Sequence, residues 1–290
     1  MATLLLRAVI SSVALASPDP PLQVLNFSTD RGAACAARMG VLILSVDETI
    51  ESEFAQYFAF RDGTALYHTR QYKGPAIDVH SLNSTKKNIS AAASLLPQFA
   101  FDSIGFACTS DAVVLGASAI AGLVAATVQV QESAVTNPLT AAMRALHALS
   151  ARRVAVLTPY TADISQMLLS VFERNGLQIS AIAIFNQTAD AVVARIDKRS
   201  VLDAVQRLAQ SAERPDAIFV SCTQTRTVEL LVEAERLTGL PVVSSNSAMA
   251  WDMLRLAGLL TADVQHSLAL FGGRLFGTPV AGQGPRHQCQ

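Results

Sequence analysis

The stretch Phe106-Ala-Cys-Thr-Ser-Asp111 has a near twin later in the chain, Val220-Ser-Cys-Thr-Gln-Thr225. In both, a Cys-Thr pair ends a short apolar run, and a helical pattern follows. Apolar runs of this length between turn signals are typical of buried parallel strands. Open parallel sheets bind ligands at the carboxyl ends of their strands. The two cysteines therefore predict two opposed acid/base or nucleophilic groups in one crevice.

A constant spacing extends this likeness to the flanking strands. An offset of 114 residues relates three pairs of positions in predicted strands, namely Gly40 and Val154, Cys108 and Cys222, and Val128 and Val242. Such a repeat predicts an α/β fold of two similar Rossmann-like domains with parallel sheets, related by a pseudo-two-fold axis, with the active site in the cleft between them. The first domain is expected at 39–138, with completion by 256–276 as an option, and the second at 139–255. Within them the pattern predicts a polar loop over 73–84, a helix over 111–125, a closing strand of the first half at 127–130 and a helix from about 227.

The two ends of the chain do not follow this pattern. An apolar stretch from Leu4 to Ala16 is interrupted by Arg7, and Ser17-Pro-Asp-Pro-Pro21 then breaks any regular structure. Residues 1–38 are open to three interpretations: a disordered or over-long extension, an organellar presequence, or a secretory signal. Residues 277–290 are expected to form a disordered tail.

Composition excludes several classes of partner. A formal net charge of -1 with 16% charged residues gives no basic field for nucleic acid or acidic membranes. No apolar run reaches the length of about 18 residues that a membrane-spanning helix requires. The four cysteines form no Cys-x-x-Cys pair, which favours free thiols in a reducing compartment over a zinc site or a disulfide framework. We therefore expect a cytoplasmic protein that binds a small molecule, with organellar targeting as the alternative. We also expect it to form a homo-oligomer.

Two thiols at helix N-termini suit a particular chemistry. The helix dipole favours the thiolate of Cys108 and of Cys222. Backbone N–H groups of the following residues can hold a carboxylate or enolate oxygen, which predicts a substrate site formed by Thr109, Ser110, Thr223 and Gln224. Such a site needs neither metal nor cofactor, and no nucleotide or zinc fingerprint is present. Opposed thiols can invert a stereocentre by proton transfer, or can isomerise a double bond by addition, rotation and elimination.

Three segments, 106–110, 221–226 and 241–251, resemble the aspartate/glutamate racemase superfamily. The nearest branch contains maleate cis-trans isomerase, arylmalonate decarboxylase and the ectoine-utilisation racemase-like proteins, and the resemblance runs from about 39 to 258. It implies that Cys108 is the nucleophile or first base, that Cys222 is the opposing acid, and that Tyr160 faces a substrate carboxylate. The decarboxylase of this branch keeps only the second cysteine, so the presence of Cys108 argues against that activity.

One position departs from the resemblance. Maleate isomerases carry Pro-Ser-Ser-Asn where this chain has Leu44-Ser-Val-Asp47. An ionised Asp47 repels a carboxylate and suits an ammonium, an amide or a water, or it caps its helix. Asp190 loosely matches a second such asparagine. We expect a cofactor-independent two-cysteine isomerase of the maleate isomerase type, with an amino-acid racemase, an arylmalonate-type decarboxylase or lyase, and a non-catalytic binding module as alternatives.

Overall fold

The computed structural model describes residues 22–59, 63–74 and 76–280. The chain divides into two compact units, 1–32 and 33–290. In the first unit, residues 22–32 form no helix or strand, and the Gly32 N–H donates to Asp30 Oδ1 at 2.7 Å. The apolar stretch on which the targeting interpretations rest, and residues 281–290 of the expected tail, lie outside the described residues.

The unit 33–290 contains two sheets. The first sheet has the strand order β2-β1-β3-β4, and all its strand pairs are parallel. Its strands and the helices between them are β1 (Ala37–Leu44), α1 (Ile50–Phe58), β2 (Thr64–Gln71), α2 (Val79–Ala93), β3 (Ser103–Ala107), α3 (Thr109–Leu115), α4 (Ala117–Ala125) and β4 (Val135–Thr136).

The second sheet has the equivalent order β6-β5-β7-β8 and is also parallel throughout. Its elements are α5 (Pro138–Ala148), β5 (Arg153–Thr158), α6 (Ala162–Arg174), β6 (Gln178–Ile184), α7 (Asp190–Val193), α8 (Lys198–Ala209), β7 (Ala217–Val220), α9 (Leu231–Thr238), β8 (Val242–Ser244) and α10 (Ser245–Leu256), followed by α11 (Ala262–Gly272) and α12 (Arg274–Gly277). Two four-stranded parallel sheets with flanking helices confirm the predicted fold class, while the domain boundaries stay predictions.

The predicted closing strand of the first half at 127–130 is wrong. The N–H groups of Thr127 and Val128 both donate to Val124 O, so the chain leaves α4 in helical turns and cannot pair with a sheet there. The closing strand is β4, in which Val135 pairs with Ile104. Its counterpart Val242 pairs with Ile218, so the closing strands are 107 residues apart instead of 114.

Three helix boundaries also differ from prediction. The helix expected over 111–125 is divided at Gly116, whose φ of 86° suits a residue without a side chain. Helix α2 begins at Val79, inside the polar loop expected over 73–84. Helix α9 begins at Leu231, although a start near 227 was predicted. That difference separates Cys222 from the N-terminus of α9.

Helix α10 carries side chains from the second sheet to the first. A capping box between Ser244 and Ser247 starts it directly after β8. Its residues from Ser245 to Leu254 are all buried, and Met253 packs on Gly105 of β3, where an added Cβ would lie 2.7 Å from the Met253 sulfur. The fold thus places the start of α10 beside both cysteine turns. Within the described ranges, no helix is long and apolar enough to span a membrane.

Candidate active site

Cys108 follows β3 as the N-cap residue of α3. Its Sγ accepts a hydrogen bond from the Asp111 N–H at 3.3 Å and lies 3.4 Å from Ser110 Oγ. The N–H groups of a first helical turn have no acceptor within the helix, so a sulfur cap satisfies one of them. The predicted place of Cys108 at a helix N-terminus agrees with the structure.

Cys222 follows β7 in a different conformation. Its φ is 85°, outside the region that residues with a side chain ordinarily adopt, and an irregular segment separates it from α9. Its N–H donates to Ser245 Oγ at 3.0 Å. The predicted helix dipole at Cys222 is therefore wrong, because a strained turn presents this thiol. Such a conformation costs about 1–3 kcal/mol and persists only where neighbouring contacts hold it.

Ser245 joins the two cysteine turns. Its Oγ accepts from the Cys222 N–H and lies 2.9 Å from Thr109 Oγ1, which belongs to the turn after Cys108. Ser245 and Thr109 are both at most 1% exposed. The first residue of α10 thereby connects the carboxyl ends of β3 and β7 through one hydroxyl.

Asp47, Thr223 and Gln224 form a second connection. Asp47 Oδ1 accepts from the N–H groups of Thr49, the N-cap residue, and Ile50, the first residue of α1, at 2.8 and 2.9 Å, and Asp47 Oδ2 accepts from Thr223 Oγ1 at 2.7 Å. The Gln224 amide donates to Val46 O at 2.6 Å and accepts from the Glu48 N–H at 2.9 Å. The structure thus uses the side chains of three predicted substrate-binding residues to join the β1–α1 loop to the Cys222 turn.

A buried carboxylate supports the same turn from below. Glu53 of α1 is 2% exposed and accepts from the N–H groups of Thr227 and Val228 and from Asn246 Nδ2, the last at 2.8 Å. Asn246 Nδ2 also donates to Thr223 O at 2.9 Å. This network fixes the irregular segment between β7 and α9 to both α1 and α10.

Tyr160 is a buried tyrosine whose pKa responds to the charges of both cysteines. It follows β5 and is 1% exposed, and its hydroxyl makes no hydrogen bond of ordinary length and angle within the described residues. Burial raises its pKa well above the usual range, and the charges of Cys222 and Cys108 raise it further. The hydroxyl is therefore within electrostatic range of both sulfur atoms, while its role at a substrate carboxylate stays a prediction.

Sequence reasoning missed a group of charged residues beside Cys108. Lys73, which follows β2, is 2% exposed, and its Nζ donates to Asp190 Oδ2 at 2.5 Å. An antiparallel bridge between Ala76 and Ala189 brings the loop after β2 to the start of α7. Asp111 of α3 is within electrostatic range of this pair. Asp111 carried a signal as the acid three residues after Cys108, and Asp190 as the loose match to an asparagine, whereas Lys73 and the contact between these residues were not predicted.

Burial determines the protonation of both thiols. It raises the pKa of Cys222 to about 12, and the nearby charge of Asp190 adds to this effect. Burial raises the pKa of Cys108 well above its usual range, and the charge of Asp111 raises it further. The expectation that the helix dipole favours a thiolate is therefore outweighed by desolvation, which penalises the charged form. Both sulfurs are protonated near neutral pH.

Cys35 differs from the expectation of free thiols. Cys35 is disulfide-bonded, whereas Cys108 and Cys222 are free. Residue spacing alone does not show which thiols approach each other, so the disulfide at Cys35 could not be predicted from the sequence. Cys289 and the nearby His287 lie outside the described residues. In the part of the chain that the structure describes, no cluster of three or more His, Cys, Asp or Glu residues is arranged to hold a metal ion.

Two four-stranded parallel sheets with flanking helices define the chain as an α/β protein, in which one cysteine follows β3 and another follows β7. A sequence model of the arylmalonate decarboxylase family matches residues 63–270, and the chain belongs to that family. The resemblance drawn from the sequence segments is thereby confirmed at the level of the superfamily branch.

Individual relatives carry two different activities. Over 123 residues the chain is 35% identical to an arylmalonate decarboxylase of Bordetella bronchiseptica, a match that covers 42% of this chain and about half, 51%, of that protein. It is 26% identical to a maleate isomerase of Nocardia farcinica over 233 residues, covering 78% of this chain and 92% of the relative.

Solved structures agree with this fold. The maleate cis-trans isomerase of Nocardia farcinica bound to TRIS has a TM-score of 0.70 at 24% identity, covering 83% of this chain and 97% of that one. A cysteine-to-serine mutant of the same protein, which holds a covalently bound succinylcysteine intermediate, has a TM-score of 0.66 at 24% identity, covering 77% and 93%. A liganded double mutant of arylmalonate decarboxylase has a TM-score of 0.68 at 25% identity, covering 77% and 93%.

Proposed function

We propose that the chain is a two-cysteine isomerase of a small carboxylate, of the maleate cis-trans isomerase type, which needs no metal or cofactor. One observation carries the proposal: two free, buried thiols follow equivalent strand ends, and both lie within electrostatic range of the buried Tyr160 hydroxyl. A single structural cysteine has no need of an opposed partner. The strain at Cys222, with φ of 85°, supports the proposal because strained backbone clusters at active sites.

The reaction requires one thiolate and one thiol. The Cys108 sulfur forms a bond to one alkene carbon, and the π electrons move onto the neighbouring carbon and its carboxylate. Rotation about the new single bond follows, and collapse of the enediolate expels the sulfur and gives the other geometric isomer. Cys222 is the opposing acid, which protonates the carbanionic carbon and takes that proton back before elimination. The covalent succinylcysteine in the Nocardia relative supports a covalent bond between sulfur and substrate carbon.

Substrate contacts follow from the same geometry. Tyr160 donates its hydroxyl hydrogen to a substrate carboxylate, since its raised pKa keeps the phenol protonated. The first-turn N–H groups of Thr109 and Ser110 face the same oxygen or its neighbour. Asp47 and Gln224 act through the turn they hold, because their polar atoms already have partners.

An amino-acid racemase is the second candidate, and the charges around the thiols favour it. Three carboxyl groups, those of Asp47, Asp111 and Asp190, lie near the two thiols, together with one ammonium group, that of Lys73. A substrate that carries an ammonium suits this balance better than a dicarboxylate does. A decarboxylase is the third, supported by the family match and the Bordetella relative.

The test is incubation in deuterated water of wild type, Cys108→Ser and Cys222→Ser with maleate, with single enantiomers of acidic amino acids, and with an arylmalonate. The proposal expects fumarate from maleate with wild type and a loss of at least about a hundredfold in each variant. Loss of optical activity with deuterium at the α-carbon would instead identify a racemase, and release of carbon dioxide would identify a decarboxylase. If no substrate reacts, or if both variants keep full activity, the two-thiol mechanism is wrong.

A further inference from the structure

Asp111 occupies a position that the proposed mechanism leaves unused. It lies in the first turn of α3, and its N–H donates to Cys108 Sγ at 3.3 Å. The residue is 0% exposed, and neither carboxylate oxygen makes a hydrogen bond of ordinary length and angle within the described residues. Burial of an acid without strong partners costs free energy. A reactive neighbour, the Cys108 thiol, lies in the same helical turn.

The groups around Asp111 come from several elements. Lys73, from the loop after β2, lowers its pKa, and Asp190 of α7 raises it. The Cys108 thiol in its own turn and the Thr85 hydroxyl of α2 each favour the carboxylate. Burial outweighs the three favourable groups and raises the pKa of Asp111 to about 7. A carboxyl group that titrates near neutral pH can both accept and return a proton.

We propose that Asp111 is the base that takes the proton of the Cys108 thiol when the sulfur attacks, an inference that rests on the proposed role of Cys108 as nucleophile. The S–H bond breaks and an O–H bond forms on the carboxylate. The negative charge moves from oxygen to sulfur, so the buried site gains no net charge. The Asp111 N–H already points at Cys108 Sγ and remains bonded to the thiolate.

A purely electrostatic role predicts the opposite outcome. The charge of Asp111 raises the pKa of Cys108. If repulsion were its whole effect, a neutral residue at this position would leave the thiol at least as reactive near pH 7. If Asp111 is the base, the same substitution makes the thiol slower, because the proton must then leave to solvent from a buried sulfur.

Alkylation of Cys108 separates the two roles without any substrate. The experiment uses the full chain with Cys222→Ser, treats it with iodoacetamide between about pH 5 and pH 9, and measures carboxamidomethyl-Cys108 by peptide mass spectrometry. With Asp111 present, the rate should rise through about pH 7 and then level off, since the pair then shares a single proton. Asp111→Asn should be slower by about ten- to a hundredfold near pH 7 and show no levelling there.

Two further variants complete the design. Ser110→Ala removes the other polar contact of the sulfur, at 3.4 Å, and should keep the levelling near pH 7. Asp111→Glu retains a carboxyl group and should recover part of the rate. If Asp111→Asn lacks the far-UV circular dichroism of the parent, Asp111→Thr replaces it as a smaller uncharged side chain.

An alkylation rate near pH 7 that is unchanged or higher in folded Asp111→Asn overturns the inference. So does an Asp111→Glu variant that is no faster than Asp111→Asn. Because alkylation involves neither maleate nor any other substrate, failure to turn over those compounds refutes the proposed function and leaves this result standing. Conversely, an isomerase that depends on both cysteines can be found while Asp111 fails this test.

Discussion

Replacement of Lys73 by Met should destabilise the fold strongly, and more so at high pH. Lys73 Nζ donates to Asp190 Oδ2 at 2.5 Å, to Ala76 O at 3.0 Å and to Gly74 O at 3.2 Å, and its side chain is 1% exposed. Methionine has a similar shape but leaves the Asp190 carboxylate, 7% exposed, without its partner. Removal of one member of a buried ion pair costs about 3–5 kcal/mol.

The pH dependence has a definite sign. Burial already raises the pKa of Asp190 while Lys73 lowers it, so loss of the ammonium moves that pKa further up. Below the new pKa the carboxyl group is protonated and its burial costs less. As pH rises through that value the charged form must be buried without a partner, so the destabilisation grows with pH.

The measurement is urea unfolding followed by far-UV circular dichroism at about pH 5 and about pH 8, on wild type, Lys73→Met, Asp190→Asn and the double variant. Lys73→Met should lose about 3–5 kcal/mol at the higher pH and clearly less at the lower. The double variant should lose less than the sum of the singles, because the two groups interact. A loss below about 1 kcal/mol for Lys73→Met at about pH 8, or additivity within about 0.5 kcal/mol, would refute the reasoning.

Three further substitutions test other contacts. Burial raises the pKa of Asp111 from 3.8 to about 7, so the folded state holds an extra proton between these pH values. The free energy of unfolding should therefore fall by roughly 4 kcal/mol as pH rises across them. Asp111→Asn should flatten this slope in unfolding free energies measured from about pH 4 to pH 8. Cys222→Gly should be inactive but about 1 kcal/mol more stable than Cys222→Ala in urea unfolding, because glycine tolerates a φ of 85°, and an equal or lower stability would contradict strain at this turn. Gln224→Leu leaves Val46 O and the Glu48 N–H unpaired and should lower the free energy of unfolding by about 2 kcal/mol. The control Gln187→Leu removes one local bond to Phe185 O and should lower it by under about 1 kcal/mol. Equal losses would show that the Gln224 bonds contribute little to stability.

Most of the strands, the repeat of two halves and the position of Cys108 and Cys222 after β3 and β7 could be predicted from the sequence. Apolar runs such as the one before Cys222 can be read from sequence because a strand buried on both faces excludes polar residues. In both halves a Cys-Thr pair directly follows an apolar run. Because the chain direction makes the end of such a run the carboxyl end of its strand, the sequence is sufficient to place these pairs after β3 and β7. The closing strand of the first half is set by its pairing with β3, which local sequence does not show, so the prediction at 127–130 was wrong.

The surroundings of the two thiols depend on contacts between distant parts of the chain, which local sequence patterns do not encode. Lys73 and Asp190 are 117 residues apart in the chain and 2.5 Å apart in space, and no local pattern marks either as a partner of the other. Likewise, Asp47 could be predicted from the sequence as either a ligand or a helix cap, and only the folded chain shows its bonds to Thr49, Ile50 and Thr223. Thiol ionisation followed the same rule: the helix dipole is a local effect, but desolvation depends on every element packed around the sulfur, and the folded chain makes it the larger of the two.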